Sequence, residues 1–161
     1  MAGEDFDLAV KAISESVRQS KGLLLTGSCG CGKTMLMRIL YSRCGHSRYW
    51  YSLPSDDCLW TMDARQNRNI RESYQEWPFI DDLGTEVRTE YGRRVDFVAD
   101  YIRMYHDNAY MNLGGRMFVT TNLDSNGLLE LYDERVVDRL MDMCVVLKFG
   151  GSSKRERTIV K

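Results

Sequence analysis

Phe6, Ala9, Ile13 and Val17 recur at helical spacing, which predicts an amphipathic helix over residues 4–20, with Gly22 as its breaker. Leu23–Thr26 is a short apolar run of the kind carried by a strand buried on both faces. A glycine-rich turn, Gly27–Gly32, leads from it into a helix predicted over Lys33–Arg43. Arg48–Leu53 is rich in Tyr and Trp and predicts a second strand, ended by Pro54. Residues 55–76 are polar and fit neither period. Trp77–Asp81 reads as a third strand that closes on paired acids. Tyr91, Val95, Val98, Ile102 and Tyr105 then follow a 4-3-4-3 spacing, one apolar stripe on a long helix that Gly114-Gly115 ends. Met117–Thr121 predicts a fourth strand, 125–142 helix in one or two pieces, and Cys144–Phe149 a fifth strand. Strands alternating with helices predict an α/β fold, a three-layer sandwich around a five-stranded, mostly parallel sheet. In such sheets ligands sit beyond the carboxyl ends of the strands.

Composition narrows the function classes. The 161 residues suit one domain, spanning 1–161, with a single continuous core. A formal net charge of −1 requires any nucleic-acid contact to come from a local cluster of cations, and Arg65, Arg68 and Arg71 form one. Aromatic residues do not interleave that cluster, so a solvated loop accounts for it equally well. No apolar run is long enough to span a bilayer, and the acidic start MAGEDFDLAV lacks the features of a signal peptide. Five cysteines, an odd number without scaffold spacing, fit free thiols in a reducing cytoplasm. Cys29, Cys31, Cys44 and His46 do not have zinc-ligand spacing.

The chemistry begins at Gly27-Ser28-Cys29-Gly30-Cys31-Gly32-Lys33-Thr34, which fits G-x-x-x-x-G-K-[ST] between an apolar strand and a helix. Glycines there let backbone N–H groups turn inward on phosphates, and the helix that follows points its positive end at the same anion. In this motif Lys33 reaches the β- and γ-phosphates and the Thr34 hydroxyl joins a Mg²⁺ shell. Phe79-Ile80-Asp81-Asp82 supplies the acids: Asp81 for Mg²⁺, and Asp82 to orient or deprotonate an attacking water. Turn chemistry before Gly84 would account for two acids, but their place downstream of a phosphate loop favours the metal role. Asn122 follows the fourth strand, where an amide meets a γ-phosphate or serves only to start a turn. Arg135 and Arg139 share a face of the last helix, either in ion pairs with Asp133, Glu134 or Asp138 or reaching out to a partner.

Four segments in order, GSCGCGKT, FIDDLGTE, FVTTNL, and LLELYDERVVDRL with VVLKFGGSSKR, resemble the DnaC/DnaI-type helicase loaders of the AAA+ class and their relatives, the IstB-type transposition helpers. The resemblance covers about residues 20–155. It implies ATP and Mg²⁺ as cofactors, held by Gly27–Thr34 and Asp81. It implies Asp82 in the catalytic acid position, Asn122 as the sensor of the γ-phosphate, and Arg155 of the G-G-S-S-K-R segment as a C-terminal nucleotide-side arginine. Arg135 matches an arginine finger, which acts in trans on ATP held by the neighbour in a head-to-tail oligomer. Implied partners are single-stranded DNA and a replicative helicase, or a transposase in the helper reading.

Two features depart from that family. Asp82 stands where many AAA+ proteins have Glu. About twenty residues precede the first strand, and few follow the fifth, so the expectation is an AAA+ core without a helical lid or a separate helicase-binding domain. Two further classes stay open on the sequence. A small P-loop kinase would need an acceptor site and an arginine-rich lid, which no segment supplies. A non-hydrolysing ATP switch would share the whole site.

Overall fold

The structure is a computed structural model that describes residues 3–43, 52–54, 77–85, 88–90, 93–95 and 97–149. Helix α1 (Gly3–Gln19) leads into β1 (Gly22–Gly27), and α2 (Lys33–Arg43) follows the phosphate loop. Next come β2 (Ser52–Pro54), β3 (Phe79–Leu83) and an antiparallel ribbon of β4 (Arg88–Glu90) and β5 (Arg93–Val95). Helix α3 (Phe97–Tyr105) runs on through a π-helical turn (His106–Tyr110) into α4 (Met111–Leu113). Strand β6 (Phe118–Thr121), helices α5 (Ser125–Leu131) and α6 (Glu134–Met143) and strand β7 (Cys144–Phe149) complete the chain.

The main sheet has the order β2-β3-β6-β1-β7, and every pairing in it is parallel. Four strands of four to six residues carry it. β2 adds only a three-residue strip along β3, where the sequence predicted a longer strand from residue 48. Positions 48–51 of that prediction lie outside the described residues.

Each face of the sheet buries its own apolar cluster. Leu23 and Leu25 of β1 join Phe79, Phe118, Leu147 and Phe149 beneath α1 and α2. Leu24 points the other way, joining Ile80, Val119, Val98, Ile102, Tyr105, Val136 and Leu140 beneath α3 and α6. Alternate side chains of a strand leave on opposite faces, so a central parallel strand covered twice reads as an unbroken apolar run.

Three sequence expectations are revised. Helix α1 ends because Ser20 takes a left-handed conformation (φ 55°), with the Ser16 carbonyl accepting from Lys21 N; Gly22 is already in β1. Its buried face runs through Ala9, Ala12 and Ser16, while Val17 is exposed. In the stripe from Tyr91, which itself lies outside the described residues, Val95 belongs to β5, the helix runs from Phe97, and Val98, Ile102 and Tyr105 are the fully buried part. β3 runs on through both acids to Leu83 instead of stopping at Asp81. The three described cysteines are free thiols, and burial pushes the Cys144 thiol up to about 12.

Candidate nucleotide and magnesium site

The phosphate loop closes on Lys33. Its side chain is only 4% exposed, and its ammonium donates to the carbonyls of Gly27 (2.8 Å) and Ser28 (2.9 Å) and to Asn122 Oδ1 (2.9 Å). An ammonium has three donors, and a buried one must use them. The buried Cys31 Sγ lies 3.7 Å from the same nitrogen. Gly27, Gly30 and Gly32 all have positive φ (148°, 79° and 106°), as inward-turned amides require. A Cβ on Gly32 would meet no atom within 4 Å, since it would project into the open cradle. The cavity there, about 220 Å³, is lined by Cys29, Gly30, Lys33, Thr34, Asp82 and Asn122 among others. That is below the roughly 300–1,000 Å³ of sites that enclose a whole small-molecule ligand. It suits the phosphate end of a nucleotide.

Asp81 and Asp82 enter from β3. Asp81 Oδ1 accepts from the hydroxyls of Thr34 (2.9 Å) and Thr120 (2.6 Å). The Thr34 oxygen keeps its lone pairs, and among the described residues no hydrogen bond engages Asp81 Oδ2. Hydroxyl and carboxylate oxygens side by side are the donor set a hard cation such as Mg²⁺ takes, so Thr34 and Asp81 fit it. Asp82 Oδ1 accepts from Asn122 Nδ2 at 3.3 Å, and Asn122 Oδ1 accepts from Lys33. One amide therefore bridges the cation of the phosphate loop and the second acid. The turn-starting role open to Asn122 falls instead to Asp124, which caps α5 by accepting from Gly127 N.

Residues far apart in the chain thus meet at the carboxyl ends of β1, β3 and β6: Lys33, Thr34, Asp81, Asp82 and Asn122. Arg135 is not among them. It is exposed at the start of α6, makes no ion pair among the described residues, and lines a separate cavity of about 880 Å³ with Lys21, His106, Met111, Asp138 and Arg139. Arg139 is committed, pairing with Asp107 at 3.1 Å rather than with the acids of its own helix. Asp133 caps α6 through Val136 N and pairs with Arg103. Arg155 and the cluster Arg65, Arg68, Arg71 lie outside the described residues. Sequence reasoning missed Thr120 and Thr121, both fully buried. Their signal was two hydroxyls inside an otherwise apolar strand.

No family model and no curated protein matches the sequence. Solved structures do. The DnaC helicase loader is 21% identical over 91% of this chain and 90% of its own, with a TM-score of 0.67. DnaI is 22% identical over 88% and 85%, with a TM-score of 0.58. The replication initiator DnaA bound to AMPPCP and single-stranded DNA is 16% identical, with a TM-score of 0.65; 90% of this chain matches 46% of DnaA. These likenesses establish the fold, an α/β core on a parallel sheet shared with those proteins. The motif resemblance to DnaC and DnaI is thereby met at the level of the backbone.

Proposed function

We propose that the chain is a Mg²⁺-dependent AAA+ ATPase of the DnaC/DnaI loader type, acting in DNA replication as a head-to-tail oligomer on single-stranded DNA with a replicative helicase as client. The observation that carries the ATPase reading is the Asn122 amide, which accepts from Lys33 and donates to Asp82. It joins a phosphate-binding cation to a base that would act on water. The loader reading rests on the motif resemblance and on the backbone shared with DnaC over most of both chains.

In this reading the loop amides and Lys33 hold the β- and γ-phosphates, and Asn122 turns toward the γ-phosphate when Lys33 does. Mg²⁺, held through Thr34 and Asp81, would neutralise phosphate charge. Asp82 orients the water and accepts its proton as the water attacks the γ-phosphorus, giving ADP and inorganic phosphate. The exposed Arg135 supplies positive charge to the site of the next subunit, which fits its place in a cavity sharing no residue with the chain's own phosphate cradle. Asp82→Asn is expected to keep ATP binding and to slow single-turnover hydrolysis by about 10²–10⁴-fold, the usual contribution of a positioned base. Equal rates would remove Asp82 from the role of base, and no hydrolysis by either would make the protein a switch.

The test of shared sites is ATP turnover against protein concentration, with and without single-stranded DNA, for the parent and Arg135→Ala. The specific rate should rise with concentration and with DNA, and fall by about 10³-fold or more in the variant, the range for an arginine supplied in trans. A rate independent of concentration and of Arg135 would mean a self-contained site.

A further inference from the structure

We propose that Thr120 is the positioning residue for both acids, holding the metal-side carboxylate and the backbone of the catalytic acid with one hydroxyl. The proposal rests on the ATPase reading above and adds to it a fully buried residue that does not line the phosphate cradle.

The argument starts from register. β3 pairs with β6 as Ile80 with Val119 and then Leu83 with Thr121. Between those pairs stand two residues of β3, Asp81 and Asp82, opposite one of β6, Thr120. That is a β-bulge, and the extra residue changes which way the bulged side chains point. In an unbulged strand consecutive side chains leave on opposite faces, so adjacent acids would be parted by the sheet. Here Asp81 reaches Thr34 while Asp82 reaches Asn122 and lines the same cradle.

The bulge is held by hydroxyls. Thr120 Oγ1 gives its proton to Asp81 Oδ1 at 2.6 Å and takes the Asp82 N–H at 2.9 Å. Its neighbour Thr121 donates to the Leu83 carbonyl at 2.7 Å, fixing the far side of Asp82. Asp82 itself has φ 55°, a left-handed conformation that disfavours a side chain. Both threonines are fully buried, so neither hydroxyl is available to solvent. Within the bulge Thr120 alone bonds both acids. Asp81 fixes its carboxylate through that proton, and Asp82 keeps its strained backbone through that lone pair.

Thr120→Val is nearly isosteric and removes both bonds. Two readouts separate positioning from simple stability. One is the Mg²⁺ concentration needed for half-maximal binding of a non-hydrolysable ATP analogue. The other is kcat against KM for ATP. In Thr120→Val the Mg²⁺ requirement should rise and kcat fall, each by about 10–100-fold, the range for losing an outer-sphere partner of a metal site. KM should change little, because Lys33 and the loop amides are untouched. Thr120→Ser keeps the hydroxyl and should restore both readouts to near the parent. Should Thr120→Val not fold, Thr120→Cys, with a weak donor and acceptor in the same place, takes its part and should give intermediate values. A folded Val or Cys variant with parental Mg²⁺ dependence and kcat overturns the proposal, as does a folded Ser variant as impaired as Val. A parent that binds no nucleotide would instead overturn the ATPase reading and this inference with it; a parent that turns over normally beside an unimpaired Thr120→Val sinks this inference alone.

Discussion

Lys33→Ala is expected to lower ATP affinity by about 10–100-fold, the worth of a hydrogen bond to a charged group, and kcat by a further 10²–10³-fold, roughly that of a lost charge-stabilising donor. The size of the effect follows from burial. At 4% exposure the ammonium sits where the dielectric is low, and its three acceptors all line the candidate site: two loop carbonyls and the Asn122 amide. In the proposed reading, removing it deletes a phosphate ligand and also frees Asn122, which then holds Asp82 without a reference to the phosphates. Lys33→Arg should fail as well, because a planar fork cannot place one nitrogen among three convergent acceptors. Titration with a fluorescent ATP analogue and a turnover assay check the two parts separately. Binding and turnover within twofold of the parent would remove Lys33 from the site.

Gly22→Ala is expected to be the most damaging small substitution for stability. A Cβ there would lie 1.7 Å from the Met117 carbonyl oxygen and within 3 Å of two more Met117 backbone atoms. Flexible side chains can yield to such an intruder, but backbone cannot, and β1 is the strand paired with both β6 and β7 at the middle of the fold. Accepting the methyl means prising β1 from the approach to β6. The cost should be about 3 kcal/mol or more, at the top of the range for overpacking. At about 2–4 °C per kcal/mol for a chain of this size, Tm should fall by roughly 6–12 °C. Gly114→Ala serves as the comparison: it replaces the exposed glycine that caps α4, and its Cβ would meet no atom within 4 Å, leaving only the left-handed strain of φ 67°, about 1–2 kcal/mol. Equal Tm values for the two variants would show that β1 and β6 can part at little cost.

Much of the fold was written locally. The bounds of α2 and β7 were legible to the residue, because each is flanked by a sharp change of pattern: the phosphate-loop glycines before Lys33, and the switch from helical to strand spacing at Cys144. Leu23-Leu24-Leu25 announced a strand buried on both faces, and the two clusters bear that out. The phosphate loop carries its own conformation in its glycines, so its cradle could be anticipated without knowing what surrounds it. Asp81, Asp82 and Asn122 were legible as candidates because each comes at the end of an apolar run, and the carboxyl ends of parallel strands converge.

Tertiary structure decided what depends on a partner strand or helix. Gly22 reads in sequence as a helix breaker, yet its place is set by the Met117 backbone almost a hundred residues away. The apolar spacing from Tyr91 continued a helical period past the true start at Phe97, since residues 93–95 pair with 88–90 instead. Of two arginines equivalent on one helix face, Arg139 was taken up by Asp107 of the π-helical turn and Arg135 was left exposed, a choice made by packing between helices. Above all, the two adjacent acids stand in a bulge opposite Thr120, whose hydroxyl bonds the carboxylate of one and the backbone of the other. The sequence by itself determined the elements and the phosphate-loop pattern, and nominated the residues proposed to carry the chemistry, because propensity and spacing act within a few positions of the chain. Their alignment was decided by the register between β3 and β6, which is fixed by hydrogen bonds between segments nearly forty residues apart.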